Sequence, residues 1–137
     1  MFTTHVAVRW SDMDVYGHVN NARVVTLLEE ARTELLFGEA NQHGAQSLAN
    51  GVVVVELMVR YRQPLVYSVN PVRVRLWVSE LRAASFALDY VVAGTEGDAV
   101  TASTQIAPYD TATQRPRRLT PAEREFLAAF RDDGNVG

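Results

Sequence analysis

Ser11–Arg32, SDMDVYGHVNNARVVTLLEEAR, joins a turn dense in Asp, Gly, His and Asn directly to an apolar-periodic helix. Gly17 suits a sharp bend, and the Asn20 and Asn21 side chains can cap the first turn of a helix. Val24, Leu27, Leu28, Ala31 and Leu35 follow at i, i+3, i+4, i+7 and i+11, one stripe at the helical period, while Glu29, Arg32 and Thr33 point elsewhere. The leading amides of such a helix lack intrahelical partners, and its aligned peptide dipoles make that end positive. An oxyanion forming there is stabilised, and a carboxylate beside it, Asp14 or Asp12, can act as nucleophile or as a base on water. A polarised carbonyl next to a carboxylate is an arrangement suited to acyl transfer.

Outward from this helix the period switches from about 3.6 to 2. Gly44–Gly51 reads as a polar connection and Val52–Arg62 as a strand. In Val72–Val78, Val72, Val74, Leu76 and Val78 share one face against Arg73, Arg75 and Trp77. Phe86, Leu88, Tyr90 and Val92 alternate with Ala87, Asp89 and Val91 in a third strand, and Val100–Tyr109 makes a fourth. Val6–Trp10, ahead of the turn, brings the expected total to five. Short links at Leu81–Ala84 and Gly94–Asp98 suit hairpins, so the last three strands are expected as antiparallel neighbours. Thr120-Pro121-Ala122-Glu123 reads as a capping box opening a short helix to about Arg131, with Gly134–Gly137 as a frayed end.

DMDVYGHVNN followed by LEEAR resembles the signature of the 4-hydroxybenzoyl-CoA thioesterase-like family of hotdog-fold acyl thioesterases, over roughly Thr4 to Tyr109. The resemblance implies an α+β hotdog fold, an antiparallel five-stranded sheet wrapped around one long central helix. It also implies hydrolysis of acyl thioesters, with Asp14 as the catalytic carboxylate and the backbone amide near Asn21 directed at the thioester carbonyl. His18, as a hydrogen-bond donor, and Glu30, as a supporting acid, base or water-positioning group, complete the expected catalytic set. Asp12 is expected to brace the turn. Gly17, Asn20, Val24, Arg60 and Arg62 are the expected substrate-binding residues. Many family members carry an aromatic residue where this chain has Val24, so the acyl pocket is expected to differ in shape.

Composition sets the surroundings. The 137 residues, 47% hydrophobic and 21% charged, fit one globular domain over 1–137, with a core at about 4–109 and a tail from 110. Zero cysteines exclude a disulfide framework, a thiolate nucleophile and a sulfur-ligated zinc site. A net charge of −3 argues against nonspecific nucleic-acid binding. All 13 basic residues are Arg, which removes lysine-based covalent catalysis. The longest uncharged apolar run, Gly51–Val55, is too short for a bilayer, and MFTTHVAVRW lacks a basic segment followed by an apolar one, so a cytoplasmic, membrane-free setting is expected.

One helix cannot cover a five-stranded sheet and its edges, which predicts pairing with a second copy as a homodimer or homotetramer. The expected reaction needs no cofactor or metal, coenzyme A entering only as part of the substrate, and acyl carrier protein is the alternative carrier. A metal site from Asp12, Asp14 and His18 ranks low, because the three share one tight turn with no further obvious ligand. A 3-hydroxyacyl thioester dehydratase and a non-enzymatic acyl-CoA-binding dimer are the alternatives. Arg115, Arg117 and Arg118 read as a solvated cluster, with coenzyme A phosphates as the functional alternative.

Overall fold

The computed structural model describes residues 1–132; the expectation for Gly134–Gly137 lies outside the described residues. Five strands form one antiparallel sheet: β1 (Phe2–Val6), β2 (Val52–Tyr61), β3 (Val72–Leu81), β4 (Phe86–Gly94) and β5 (Gly97–Asp110), in the order β1-β3-β4-β5-β2. A two-residue strand, β6 (Arg115–Pro116), pairs with the end of β5 and makes the sheet six-stranded rather than five. The helix α1 (Asn21–Thr33) is carried on by a π-helical stretch, Glu34–Glu39, and a last turn, Ala40–Gln42. The predicted stripe is its buried face: Val24, Leu27, Leu28, Ala31 and Leu35 are all buried. They pack on the inward faces of β3 and β4, where Val74, Leu76, Val78, Phe86, Leu88, Tyr90 and Val92 belong to the same core cluster.

The first strand lies earlier than the sequence pattern suggests. Val6 pairs with Val72, the first residue of β3, and Pro71 before it has no amide to extend a ladder. The chain therefore leaves the sheet at Val6 instead of running to Trp10. Trp10–Asp12 forms a short 3-10 turn that leaves Trp10 exposed. The connection Gly44–Gly51 is less polar than read: a 3-10 turn over Gln46–Asn50 buries Leu48 completely.

The capping box at Thr120 forms as expected, with Thr120 Oγ1 accepting from the Glu123 amide at 3.1 Å and Glu123 accepting from the Thr120 amide at 2.7 Å. It opens the C-terminal helix, Pro121–Ala129. Glu123 is fully buried, and its oxygens also take both Arg117 Nη groups at 2.8 Å and Ser47 Oγ at 2.8 Å. Arg117 is thus committed to the fold, not to a ligand's phosphates. Burial alone would raise the Glu123 pKa, but Arg117, the Thr120 amide and Ser47 together bring it down to about 2, from 4.5.

Because the folded-state pKa is the lower one, the unfolded chain binds the extra proton between these values. The clamp's contribution is therefore complete above about pH 4.5 and is lost as pH falls towards 2. Glu123→Gln should flatten that acid limb and lower stability at neutral pH by about 2 kcal/mol, since Arg117 is left half-paired. Thermal melts of both forms from pH 2 to 7 check this. Parallel acid limbs would show that the clamp does not contribute.

Candidate active site

The turn before α1 is held from both sides. Asp12 is buried and accepts from the Arg9 amide at 2.8 Å and Arg9 Nη2 at 2.9 Å, while its carbonyl takes the Asn20 amide at 2.9 Å. The bonds from the Arg9 amide and guanidinium hold its pKa below the ordinary value. Asp12 therefore braces the turn, as the sequence suggested. The Val19 amide donates to the Leu65 carbonyl at 2.6 Å, and Met13 bridges to Val19, tying the turn to the loop after β2. Gly17 sits at φ 77°, left-handed backbone that suits glycine, and the turn closes from the Gly17 amide to the Asp14 carbonyl.

Asn20 is the N-cap. Its side-chain oxygen accepts from the Ala22 amide at 2.9 Å, and its carbonyl accepts from Arg23 and Val24. Three of the four leading amides are therefore occupied by protein. The Asn21 amide has no protein acceptor among the described residues. The donor set is narrower than the sequence suggests, a single N–H rather than the whole first turn.

Beside the helix start lies a groove of about 550 Å³ whose walls include Asp14, His18, Asn20, Asn21, Val24 and Arg62. Asp14 forms an Asx turn, Oδ1 accepting from the Tyr16 amide at 2.9 Å, and no protein donor among the described residues takes its Oδ2. One carboxylate oxygen fixes the side chain while the other remains available to a ligand or water. Val24 is buried at the groove's inner wall.

Sequence reasoning missed Tyr61, which also lines the groove. Its hydroxyl donates to the Asn21 carbonyl at 2.9 Å and so pins the end of β2 to the start of the helix. The signal was available in strand parity, because Tyr61 pairs with inward-facing Val100. Pro64, Leu65 and Val100 supply apolar wall.

Three expected residues stand elsewhere. Gly17 shapes the turn and is not part of the groove wall. Glu30 is exposed nine residues beyond Asn21, about 13 Å along the helix at 1.5 Å per residue, and on its opposite side at 3.6 residues per turn. It lines a separate depression with His5 and Glu34. Arg60 is not part of the groove wall; it pairs with Thr101 and so lies on the sheet face turned away from the helix. Among the described residues, no group of three or more His, Asp or Glu side chains is disposed to hold a metal ion.

A family model described as the thioesterase-like superfamily matches residues 8–130. The chain belongs to this superfamily. Escherichia coli K12 long-chain acyl-CoA thioesterase FadM is 40% identical over 65 residues, which cover 47% of this chain and 49% of FadM. The match thus spans about half the length of that relative. Among solved structures, the probable thioesterase YbaW of Escherichia coli is 31% identical, covers 96% of this chain and 100% of its own, and superposes with a TM-score of 0.75. A thioesterase from Thermus thermophilus, complexed with coenzyme A and Zn, is 25% identical over 93% of this chain and 92% of its own, TM-score 0.74. The thioesterase-like fold found here, a curled antiparallel sheet around a long helix, is the hotdog fold the motif implied.

Proposed function

We propose that this chain hydrolyses acyl-CoA thioesters to a free acid and coenzyme A, with water as acceptor. The observation that carries the reading is that one groove is lined both by Asn21, whose amide has no protein acceptor among the described residues, and by Asp14, whose Oδ2 has no protein donor among them. A thioester carbonyl placed against Asn21 N–H develops oxyanion charge where the helix end is positive, so the tetrahedral intermediate is favoured over the ground state. Asp14 Oδ2 either attacks the carbonyl carbon, giving a mixed anhydride that water then opens, or takes a proton from the attacking water. In both routes the C–S bond breaks and the thiolate leaves, to be protonated by solvent. His18, at the rim, supplies a hydrogen-bond donor to substrate or water, and Glu30 has no part in the groove of a single chain. The route uses no cofactor or metal.

FadM's described activity and the coenzyme A bound to the Thermus relative favour coenzyme A over acyl carrier protein as the thiol carrier. Charge balance, the groove and the family together favour a small-molecule thioester over nucleic acid. The described residues contain no helix long and apolar enough to cross a membrane. We place the protein in the cytoplasm, a setting supported by a cysteine-free composition that has no use for an oxidising compartment.

The working unit we propose is at least a homodimer. β2 is an edge strand, and along it Val53, Val54, Val55, Leu57 and Met58 are all exposed, which makes it a long apolar edge of the kind that invites pairing. A second β2 is the natural cover, since like edges meet about a two-fold axis. Release of free thiol from aliphatic and aryl acyl-CoA thioesters, measured on material whose mass is followed by sedimentation, tests both parts. Hydrolysis by a species of at least twice the chain mass is expected; a monomer, or no release above the uncatalysed rate with any thioester, overturns the corresponding part.

A further inference from the structure

The Asn20–Asn21 peptide, which carries the amide without a protein acceptor among the described residues, lies between two ties to the sheet. On its N-terminal side the Val19 amide donates to the Leu65 carbonyl at 2.6 Å. On its C-terminal side the Asn21 carbonyl accepts from the Tyr61 hydroxyl at 2.9 Å. Both ties come from the short stretch where the chain leaves β2, Tyr61 being the last residue of that strand. The stretch is itself fixed: the Arg62 and Gln63 amides donate to the Ala99 carbonyl at 2.8 and 3.1 Å, and Ala99, in β5, is fully buried. The start of α1 therefore takes its position from the sheet as well as from its own cap.

The bond from Tyr61 acts on more than one carbonyl. It falls on the Asn21–Ala22 peptide, whose N–H donates to Asn20 Oδ1 at 2.9 Å. A donor on the carbonyl polarises that peptide and strengthens its N–H, so the Asn20 cap tightens. The Asn20 carbonyl accepts from the Arg23 and Val24 amides at 2.9 and 3.1 Å, and it shares a peptide unit with the Asn21 N–H. That donor is thus polarised as well as held. Tyr61 is half exposed and lines the groove, so a thioester seated there takes water away from the hydroxyl, and the bond strengthens in the lower local dielectric. Resting on the hydrolase reading above, we propose that Tyr61 is a positioning residue: its hydroxyl holds the Asn21 N–H where it meets the thioester carbonyl, and it contributes to turnover through that amide without touching the reacting atoms.

Tyr61→Phe keeps the ring on the groove wall and deletes the tie. It should lower kcat for acyl-CoA hydrolysis by roughly tenfold while KM and melting temperature stay near wild type. In an Asn21→Pro background, which has no N–H to position, adding Tyr61→Phe should cost nothing further, because two changes that act through one group do not add. A second readout needs no turnover. Backbone ¹⁵N relaxation should give the Asn21 amide an order parameter near the roughly 0.85 of rigid backbone in the wild type and a lower one in Tyr61→Phe, with Leu28 in mid-helix unchanged. An unchanged kcat, a tenfold loss that persists in the Asn21→Pro background, or an Asn21 amide equally ordered in both proteins overturns the proposal. Absence of thiol release by the wild type removes the hydrolase reading instead, and the relaxation of the Asn21 amide then decides alone whether Tyr61 positions it.

Discussion

Asp14→Asn should lower kcat for acyl-CoA hydrolysis by about 10²–10⁴, the range over which a positioned acid or base contributes. The substitution isolates chemistry from structure. In the native chain Oδ1 accepts the Tyr16 amide, and an asparagine oxygen can keep that bond, so the Asx turn and the entry to α1 are preserved. What disappears is the second carboxylate oxygen, the one free to attack or to take a proton. Melting temperature and coenzyme A affinity should stay near wild type while turnover falls. Thiol release within a few-fold of wild type would reduce Asp14 to a turn residue and leave the groove as a binding site.

The two aspartates of the motif show what sequence can and cannot separate. Both lie two residues apart on one turn, and either fits a carboxylate near a helix end. Only the fold tells them apart: Asp12 is buried and bonded to Arg9, while Asp14 lines the groove with one carboxylate oxygen free of protein donors among the described residues. The α1 stripe was legible because burial follows local periodicity, and β3 to β5 were legible because strict alternation and short hairpin links fix both faces and neighbours. The limits of β1 were not, since they depend on where a partner sixty-six residues away begins, at Val72 after Pro71. Tyr61 and Arg60 illustrate the same limit within one strand. They are adjacent in sequence, yet the period of two sends Tyr61 to the helix start and Arg60 to the opposite face. Glu30 fell outside the groove because proximity along a helix is set by angle and rise, which proximity in a motif does not convey.

Asn21→Pro should lower kcat by about 10²–10³, the usual cost of losing one oxyanion donor, with little loss of stability. Proline deletes the backbone N–H and alters little else here. Asn21 is the first residue of α1, where an amide has no intrahelical partner and the fixed φ of proline suits the helix. Asn20 before it has φ −59° and ψ 140°, the extended conformation that a following proline favours. The Ala22, Arg23 and Val24 amides keep their bonds to Asn20, and the Asn21 carbonyl remains for Tyr61. Asn21→Ala is the necessary companion, because it removes the side chain from the groove and retains the amide. The difference between the two variants then belongs to the N–H and to the ring carbon that takes its place. A melting temperature that survives in both, with turnover lost only in the proline variant, assigns the oxyanion to this single amide. Equal turnover in the two variants would place the oxyanion elsewhere, and the helix end would then serve to cap the turn.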